Sequence, residues 1–352
     1  METTGQQVVE RIDNVDALLE IKNLKKYFPV QTGLFRRKIG YVKAVDDVSF
    51  KIGHGETLGL VGETGCGKTT LGRCVVRLYK PLAGQILYQC EDDSGQEAKI
   101  DLAELSGREL RPHRRDIQMI FQDPYSSLSP RRTVFDTISE PLRANQLASG
   151  RELEDRVIHL MQVVGLETRY LRRYPHAFSG GQRQRIGIAR SLATNPKLVV
   201  ADEPVSALDV SIQAQILNLL GDLQDQFGLS YLFIAHDLSV VKYVSDRVAV
   251  MYVGRLVELA STEDLYADPK HPYTEALLSA VPISDPDVVR ERIKLEGEIP
   301  DPANPPAGCY FHPRCPYAKA LCGEEPPSWE EVEPRHFTAC HFARELDLRG
   351  IG

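Results

Sequence analysis

The chain has 352 residues, of which 42% are hydrophobic and 26% are charged, with 42 Lys and Arg against 49 Asp and Glu. This is the composition of an ordinary globular protein, long enough to bury a sizeable core, and it excludes intrinsic disorder as the main state. The net charge of -7 argues against a protein that mainly coats nucleic acid, because such binding needs many Lys and Arg side chains that neutralise phosphates.

The beginning of the chain has no feature of a secretory signal. Residues 1–16 are polar and acidic, and they lack both a basic start and an apolar centre. The longest purely apolar stretches, such as residues 198–201 and 231–235, are far shorter than the roughly 20 residues that cross a bilayer as a helix. We therefore expect a protein that spans no membrane and stays in the cytosol, where stable disulfide bonds are rare.

The first two thirds of the sequence alternate between short strand-like runs and longer helical runs. This alternation predicts an α/β domain with a mainly parallel sheet. The clearest predicted strands cover residues 57–61, 116–121, 198–201 and 231–235. The last two are almost wholly apolar, which is typical of central strands that are covered on both faces. Residues 123–174 have helical spacing instead, above all residues 150–164, and we interpret this part as a helical subdomain inserted into the core.

A glycine-rich loop follows the first of these strands. Residues 62–69 read GETGCGKT, and a helical pattern begins directly after them, which is the sequence and the context of a P-loop. Its glycines let successive backbone N–H groups face a phosphate, and the helix N-terminus adds a favourable field for the anion. Lys68 would then reach the β- and γ-phosphates, and the Thr69 hydroxyl would ligate Mg²⁺. The residues expected to bind nucleotide here are Gly62, Gly65, Gly67, Lys68, Thr69 and Thr70.

Two adjacent acids, Asp202 and Glu203, end the apolar strand that begins at residue 198. Their placement suits a metal-dependent phosphoryl site, in which Asp202 holds Mg²⁺ and Glu203 orients and deprotonates the attacking water. A solvated acidic turn would explain the pair equally well if it stood alone. Beside an intact P-loop, the pair favours a metal-dependent phosphoryl site over a solvated turn.

A third motif, residues 178–185, reads FSGGQRQR and begins a predicted helix. A serine followed by two glycines at a helix start forms a second anion-binding terminus. The motif resembles the signature motif of ATP-binding cassette (ABC) ATPases. This resemblance implies an α/β P-loop NTPase (RecA-like) core with a parallel sheet and antiparallel strands, and ATP and Mg²⁺ as ligands. It implies nucleotide contacts from Ser179, Gly180, Gly181 and Gln182.

The same resemblance implies roles for residues that the sequence alone would not single out. Gln122 would contact Mg²⁺, Asp209 would lie in the loop between two ATP sites, and His236 would contact the γ-phosphate. An aromatic side chain near the N-terminus would stack on adenine, with Phe28 in the best position and Tyr27 second. The expected catalytic residues are therefore Glu203, His236 and Lys68. The expected Mg²⁺ ligands are Thr69, Gln122 and Asp202.

Four segments resemble the ATPase subunits of oligopeptide and dipeptide importers. Of the two paralogous ATPases in such importers, the sequence is more similar to the second. The segments are residues 117–124, 204–211, 271–274 and 304–309. The resemblance implies an ATPase that powers peptide uptake from the cytoplasmic face of the membrane, as a peripheral subunit. Its implied partners are a paralogous ATPase in a hetero-dimer, two transmembrane permease subunits and an extracytoplasmic solute-binding protein, with no nucleic acid. Oligosaccharides and nickel are alternative cargoes.

The composition changes after about residue 281, because 11 of the 22 prolines and four of the seven cysteines lie in the last 72 residues. Prolines at this density break helices, so this tail needs another source of order. Its thiols, Cys309, Cys315, Cys322 and Cys340, are spaced more widely than the paired thiols of most zinc sites, and Cys315-Pro316 resembles the end of a ferredoxin-like run. We expect a 4Fe-4S cluster, with zinc and a tail without metal as alternatives.

These observations predict an ABC ATPase domain over residues 16–280, with its helical subdomain at about 123–178, followed by a cysteine-rich tail over residues 281–352. A soluble ABC ATPase of translation or DNA repair is the alternative from another class. Such proteins usually carry two cassettes or a long coiled-coil insertion, and this sequence has neither. A redox or regulatory module, in which the tail is primary, is a further alternative.

Overall fold

A computed structural model describes residues 17–32, 37–91, 95–282 and 292–351. Residues 16, 33–36 and 92–94 of the predicted ATPase domain, and residues 283–291 and 352 of the predicted tail, lie outside this part. The strands are β1 (Ala17–Thr32), β2 (Arg37–Gly53), β3 (Thr57–Val61), β4 (Ala83–Glu91), β5 (Glu97–Asp101), β6 (Ile117–Ile120), β7 (Leu198–Asp202), β8 (Ser230–Ile234), β9 (Arg247–Tyr252), β10 (Arg255–Ser261), β11 (Glu330–Glu333) and β12 (His336–Thr338).

Helices flank these strands, and the longest of them within the described residues has 18 residues. The α-helices are α1 (Lys68–Val75), α2 (Leu110–His113), α3 (Val134–Ala144), α4 (Gly150–Val163), α5 (Gly180–Leu192), α6 (Val210–Phe227), α7 (Leu238–Val244), α8 (Thr262–Ala267), α9 (Pro272–Ser279) and α10 (Ala320–Glu324). Short 3-10 helices cover Thr168–Tyr170, Pro175–Ala177 and His312–Arg314. In the described ranges, no helix combines the length and the apolar character that a membrane crossing requires.

The central sheet has the strand order β11-β12-β10-β9-β3-β8-β7-β6. Strands β9, β3, β8, β7 and β6 pair in parallel, whereas β10, β12 and β11 extend the sheet with antiparallel pairing. Strands β7 and β8 are buried along their whole length, as their apolar sequences predict. The predicted α/β fold is confirmed, and the four predicted strands agree with the structure to within one residue at each end.

A second, antiparallel sheet has the order β2-β1-β4-β5 and lies against α1 and the central sheet. Its inner face supplies Leu19, Ile21, Val48 and Ile52 to a shared apolar core. Burial of this apolar area is the main source of stability for the contact between the two sheets. The arrangement places β1 beside the helix that follows the P-loop.

The helices α3 and α4 lie between β6 and α5, in the part predicted to be a helical subdomain. Helix α3 begins with a capping box, in which the side chains of Thr133 and Asp136 bond to each other's backbone N–H. Helix α4 buries Val157 and Met161 at the spacing of one helical face, so the predicted helix over 150–164 is confirmed to within one residue.

The tail adds strands to the central sheet, which the sequence did not predict. Strand β12 pairs with β10, with Thr338 opposite Glu258 and Phe337 opposite Leu259. The short helices and strands of this region agree with the expectation that its prolines keep regular structure short. Backbone pairing with β10 of the central sheet therefore supplies part of the order in the tail, for which the sequence suggested only a bound metal.

Candidate active site

The P-loop leaves β3 at the carboxyl edge of the parallel strands, where ligands of such sheets bind. Gly62 has φ 151° and Gly67 has φ 113°, which are backbone conformations that L side chains rarely adopt. A Cβ atom at Gly62 would collide with the backbone oxygen of Met251, and one at Gly67 with that of Ala44. Both positions therefore require glycine, and α1 begins at the next residue, Lys68.

Lys68 lies inside the curve of this loop and is only 5% exposed. Its Nζ donates hydrogen bonds to the carbonyl oxygens of Gly62 at 2.6 Å and Glu63 at 3.1 Å. An open cavity of about 350 Å³ lies beside it. The predicted site residues that line this cavity are Phe28, Gly65, Gly67, Lys68, Thr69, Thr70, Gln122 and Glu203.

The two expected Mg²⁺ ligands Thr69 and Asp202 are in direct contact. The Thr69 hydroxyl donates to Oδ1 of Asp202 at 2.9 Å, although 133 residues separate them in sequence. Asp202 closes β7 and is 1% exposed, and this burial raises the pKa of its carboxyl. Hydroxyl and carboxylate oxygens are the ligand types that Mg²⁺ prefers, so this pair fits the ion chemically.

The Glu203 side chain contacts two other predicted residues of the site. Its Oε2 accepts a hydrogen bond from Nε2 of Gln122 at 2.9 Å and lies 3.2 Å from Nδ1 of His236. The Glu203 backbone has φ 46°, in the left-handed region, and its N–H donates to the carbonyl oxygen of Ile234 at 2.9 Å. The ends of β6 and β8 therefore bring two predicted residues, Gln122 and His236, to the carboxylate that follows β7.

The signature motif forms the N-terminus of α5, as its sequence predicts. Ser179 and Gln182 form a capping box, because the Ser179 hydroxyl accepts from the Gln182 N–H at 3.3 Å and Oε1 of Gln182 accepts from the Ser179 N–H at 3.1 Å. A Cβ atom at Gly181 would lie 2.5 Å from Cγ2 of Ile212 on α6, which makes glycine necessary there. None of the residues that the structure places around the P-loop cavity comes from this motif.

Asp209 lies apart from that cavity, at the start of α6. Its carbonyl oxygen accepts from the N–H groups of Ile212 and Gln213 at 2.9 Å and 2.8 Å, and its side chain forms no capping bond to the helix. Its expected role between two ATP sites stays a prediction.

The two aromatic candidates for the adenine face point in different directions. Phe28 lines the P-loop cavity and packs edge-on against Tyr79, with ring centres 5.5 Å apart. Tyr27 instead donates a hydrogen bond to Asp46, which also accepts from Arg255 at 2.8 Å. The geometry favours Phe28 of the two.

The four tail cysteines line one small cavity, and the Cys309 N–H donates to the Cys322 carbonyl oxygen at 2.8 Å. Burial raises the pKa of Cys315 to about 12 and that of Cys340 to about 11. Within the described residues, no three or more His, Cys, Asp or Glu side chains are arranged to hold a metal ion. The predicted 4Fe-4S cluster gains no support from this arrangement.

The sequence did not reveal two contacts between the tail and the P-loop region. Arg314 binds both carboxylate oxygens of Glu63, at 2.7 Å and 3.0 Å. Pro302 lines the cavity, and its carbonyl oxygen accepts from the Lys43 N–H at 3.0 Å. Because 251 residues separate Arg314 from Glu63, no local spacing could have linked them.

The amino-acid sequence matches known ABC transporter proteins along most of its length. Residues 45–206 match the ABC transporter family, and residues 257–322 match the oligopeptide/dipeptide transporter C-terminal region. The oligopeptide transport ATP-binding protein AppF of Bacillus subtilis is 56% identical over 332 residues, which are 94% of this chain and 98% of that protein.

Two solved structures resemble the fold. The dimeric ATP-binding cassette MJ0796, in a post-hydrolysis state with ADP and Pi, is 29% identical with a TM-score of 0.58, and the match covers 69% of this chain and 98% of that one. CbiO1 of Clostridium perfringens, part of an ABC transporter complex, is 25% identical with a TM-score of 0.58, over 71% of this chain and 91% of that one.

Proposed function

We propose that this chain, which belongs to the oligopeptide transport ATPases of the ABC transporter family, is the ATP-hydrolysing subunit of a peptide importer. In this function the chain hydrolyses ATP at the P-loop cavity and so powers the uptake of oligopeptides or dipeptides through a membrane permease. The observation that carries the proposal is the position of Glu203, which contacts Gln122 and His236 and lines the same cavity as Lys68.

The chemistry follows from the residues around the cavity. The P-loop N–H groups and Lys68 would bind the β- and γ-phosphates, and the Thr69 hydroxyl and Asp202 carboxylate would hold Mg²⁺. When bound, Mg²⁺ supplies positive charge that neutralises the phosphate oxygens. Glu203 would accept the proton of the attacking water, while Gln122 and His236 keep its carboxylate in place.

The assembly is a dimer of ATPases on two permease subunits. The signature motif of this chain would close over the nucleotide of a paralogous ATPase, since its residues do not line the P-loop cavity of their own chain. A solute-binding protein on the far side of the membrane would deliver the cargo. The chain would sit peripherally on the cytoplasmic face, with its helical subdomain, at about 123–178 in the ATPase domain of 16–280, against the permease.

The cargo is tested by purifying the assembled complex with its solute-binding protein and identifying the retained ligands by mass spectrometry. We expect peptides, since the C-terminal region matches that of oligopeptide and dipeptide transporters. Oligosaccharides or nickel chelates would refute the peptide cargo and leave the ATPase role intact. Failure of the chain to copurify with any permease would instead favour a soluble ABC ATPase.

We also propose that the tail, residues 281–352, binds a 4Fe-4S cluster. Its ligands would be Cys309, Cys315, Cys322 and Cys340. Support comes from the sequence, which places four thiols in this proline-rich segment. Four thiolates are the usual ligand set of such clusters. Binding would require deprotonation of the thiols and a rearrangement that brings the sulfur atoms together, so the cluster would also order the tail.

A Cys315→Ser variant tests this cluster. Anaerobically purified wild-type protein should contain iron and acid-labile sulfide in similar amounts, and the variant should lose both, keep its ATP binding and have a tail more sensitive to protease. Cys90→Ala, on β4 of the other sheet, is the matched control and should keep the iron. Zinc without sulfide in the wild type would refute the cluster but keep a metal site, and absence of any metal would refute both.

A further inference from the structure

Arg314 connects the cysteine-rich tail to the P-loop through a partly buried ion pair. It ends the 3-10 helix His312–Arg314 and directly precedes Cys315. Its Nη1 and Nη2 donate to Oε2 and Oε1 of Glu63 at 2.7 Å and 3.0 Å, and its side chain is only 7% exposed. A bidentate arginine–carboxylate pair of this kind fixes both the distance and the relative orientation of the two side chains. An exposed ion pair with a single contact does not fix the orientation.

Glu63 is the second residue of the P-loop, and its backbone forms hydrogen bonds both within the loop and to a residue outside it. Its carbonyl oxygen accepts from Nζ of Lys68 at 3.1 Å and from the Cys66 N–H at 3.2 Å. Its own N–H donates to the hydroxyl of Tyr273 at 2.9 Å. The position of Glu63 therefore determines both the curve of the loop and the direction of the lysine that binds phosphate.

Aromatic residues of the core also contact this part of the tail. Nη1 of Arg314 also donates to the hydroxyl of Tyr252 at 3.3 Å. Phe311, three residues earlier, packs against the rings of Tyr252 and Tyr273 with centres 5.3 Å and 5.4 Å away. The hydrogen bonds to Glu63 raise the pKa of Arg314, so the guanidinium stays charged at every physiological pH.

We propose that Arg314 is a positioning residue of the ATP site, through which the tail sets the affinity of the P-loop for nucleotide. A glycine-rich loop loses conformational entropy when it closes around a phosphate, and a loop already held in shape loses less. This inference rests on the proposed nucleotide binding by the P-loop and is independent of the cargo and of any metal in the tail.

Arg314→Gln and Glu63→Gln in the full chain test the inference, with a fluorescent N-methylanthraniloyl-ATP as the probe. Each variant should bind the probe about tenfold more weakly, the scale of a lost charged hydrogen bond. The double variant should lose less than the product of the two single effects, because both changes remove one interaction. In the assembled complex, KM for ATP should rise about tenfold while kcat falls less than about threefold, since the groups around Glu203 are unchanged.

Lys319→Gln is the matched control, because Lys319 pairs with Glu345 at 3.2 Å on the surface of the same tail. It should leave the probe affinity unchanged. Wild-type affinity in Arg314→Gln or in Glu63→Gln would overturn the inference. An equal loss of kcat and of folded protein, in place of a rise in KM, would also overturn it, since Arg314 would then act through folding alone. A wild-type chain that binds no probe would contradict the proposed function itself.

Discussion

Replacing Glu203 with Gln should lower ATP turnover by about a thousandfold and leave ATP binding nearly unchanged, which is the effect expected for loss of a general base. The amide has the same shape as the carboxylate, so Gln122 and His236 keep a neighbour of similar size. The amide cannot take a proton from water. Lys68, Thr69 and Asp202 are untouched and should still hold Mg-ATP.

The measurement is phosphate release by an assembled complex in which the partner's ATP site has been inactivated, with ATP binding measured in parallel. Glu263→Gln is the matched control, since Glu263 is exposed in the first turn of α8, outside the helical subdomain that is proposed to contact the permease. That variant should keep full turnover. Turnover near the wild-type level in Glu203→Gln would show that another group activates the water.

Gly180→Asp should abolish hydrolysis at the partner's P-loop and leave ATP bound at Lys68 of this chain. The new side chain would lie at the N-terminus of α5, where a Cβ atom meets only Cδ2 of Leu208, at 3.3 Å. The helix itself should therefore survive the substitution. A carboxylate at this terminus would repel the γ-phosphate that the motif is proposed to bind across the dimer.

Site-resolved crosslinking of a photoreactive ATP separates the two sites of a hetero-dimer. Gly187→Asp serves as the control, because Gly187 lies two turns further along α5 and a Cβ atom there has no neighbour within 4 Å. It should affect neither site. A defect of Gly180→Asp confined to the Lys68 site would refute the arrangement across the dimer.

The sequence predicted the P-loop, the two acids after β7 and the capped helix of the signature motif because each is a local pattern with a local physical cause. Positive φ angles at Gly62 and Gly67 require glycine, and apolar runs predict the buried strands that precede the loop and the acids. Parallel pairing of the strands then brings their carboxyl ends to one edge. Gln122 and His236 were identified only by resemblance, because a single polar residue after a strand has no pattern of its own.

The contacts of the tail could not be predicted, because they join residues that are far apart in sequence. The pairing of β12 with β10 and the Arg314–Glu63 ion pair both depend on how the tail lies on the core. The prolines indicated correctly that regular structure there is short. The cysteines suggested a metal as the source of order, whereas the described tail gains order from the sheet and from ion pairs.

The central claim is that ATP hydrolysis at Glu203 powers peptide uptake. Its most direct test is the ATP-dependent uptake of a radiolabelled oligopeptide into proteoliposomes that contain the permease, both ATPases and the solute-binding protein. The wild-type complex should accumulate peptide only when ATP is present on the side of the ATPases, and the Glu203→Gln complex should accumulate almost none. Equal uptake by the two complexes, or no uptake of peptide by a wild-type complex that hydrolyses ATP, would contradict the claim.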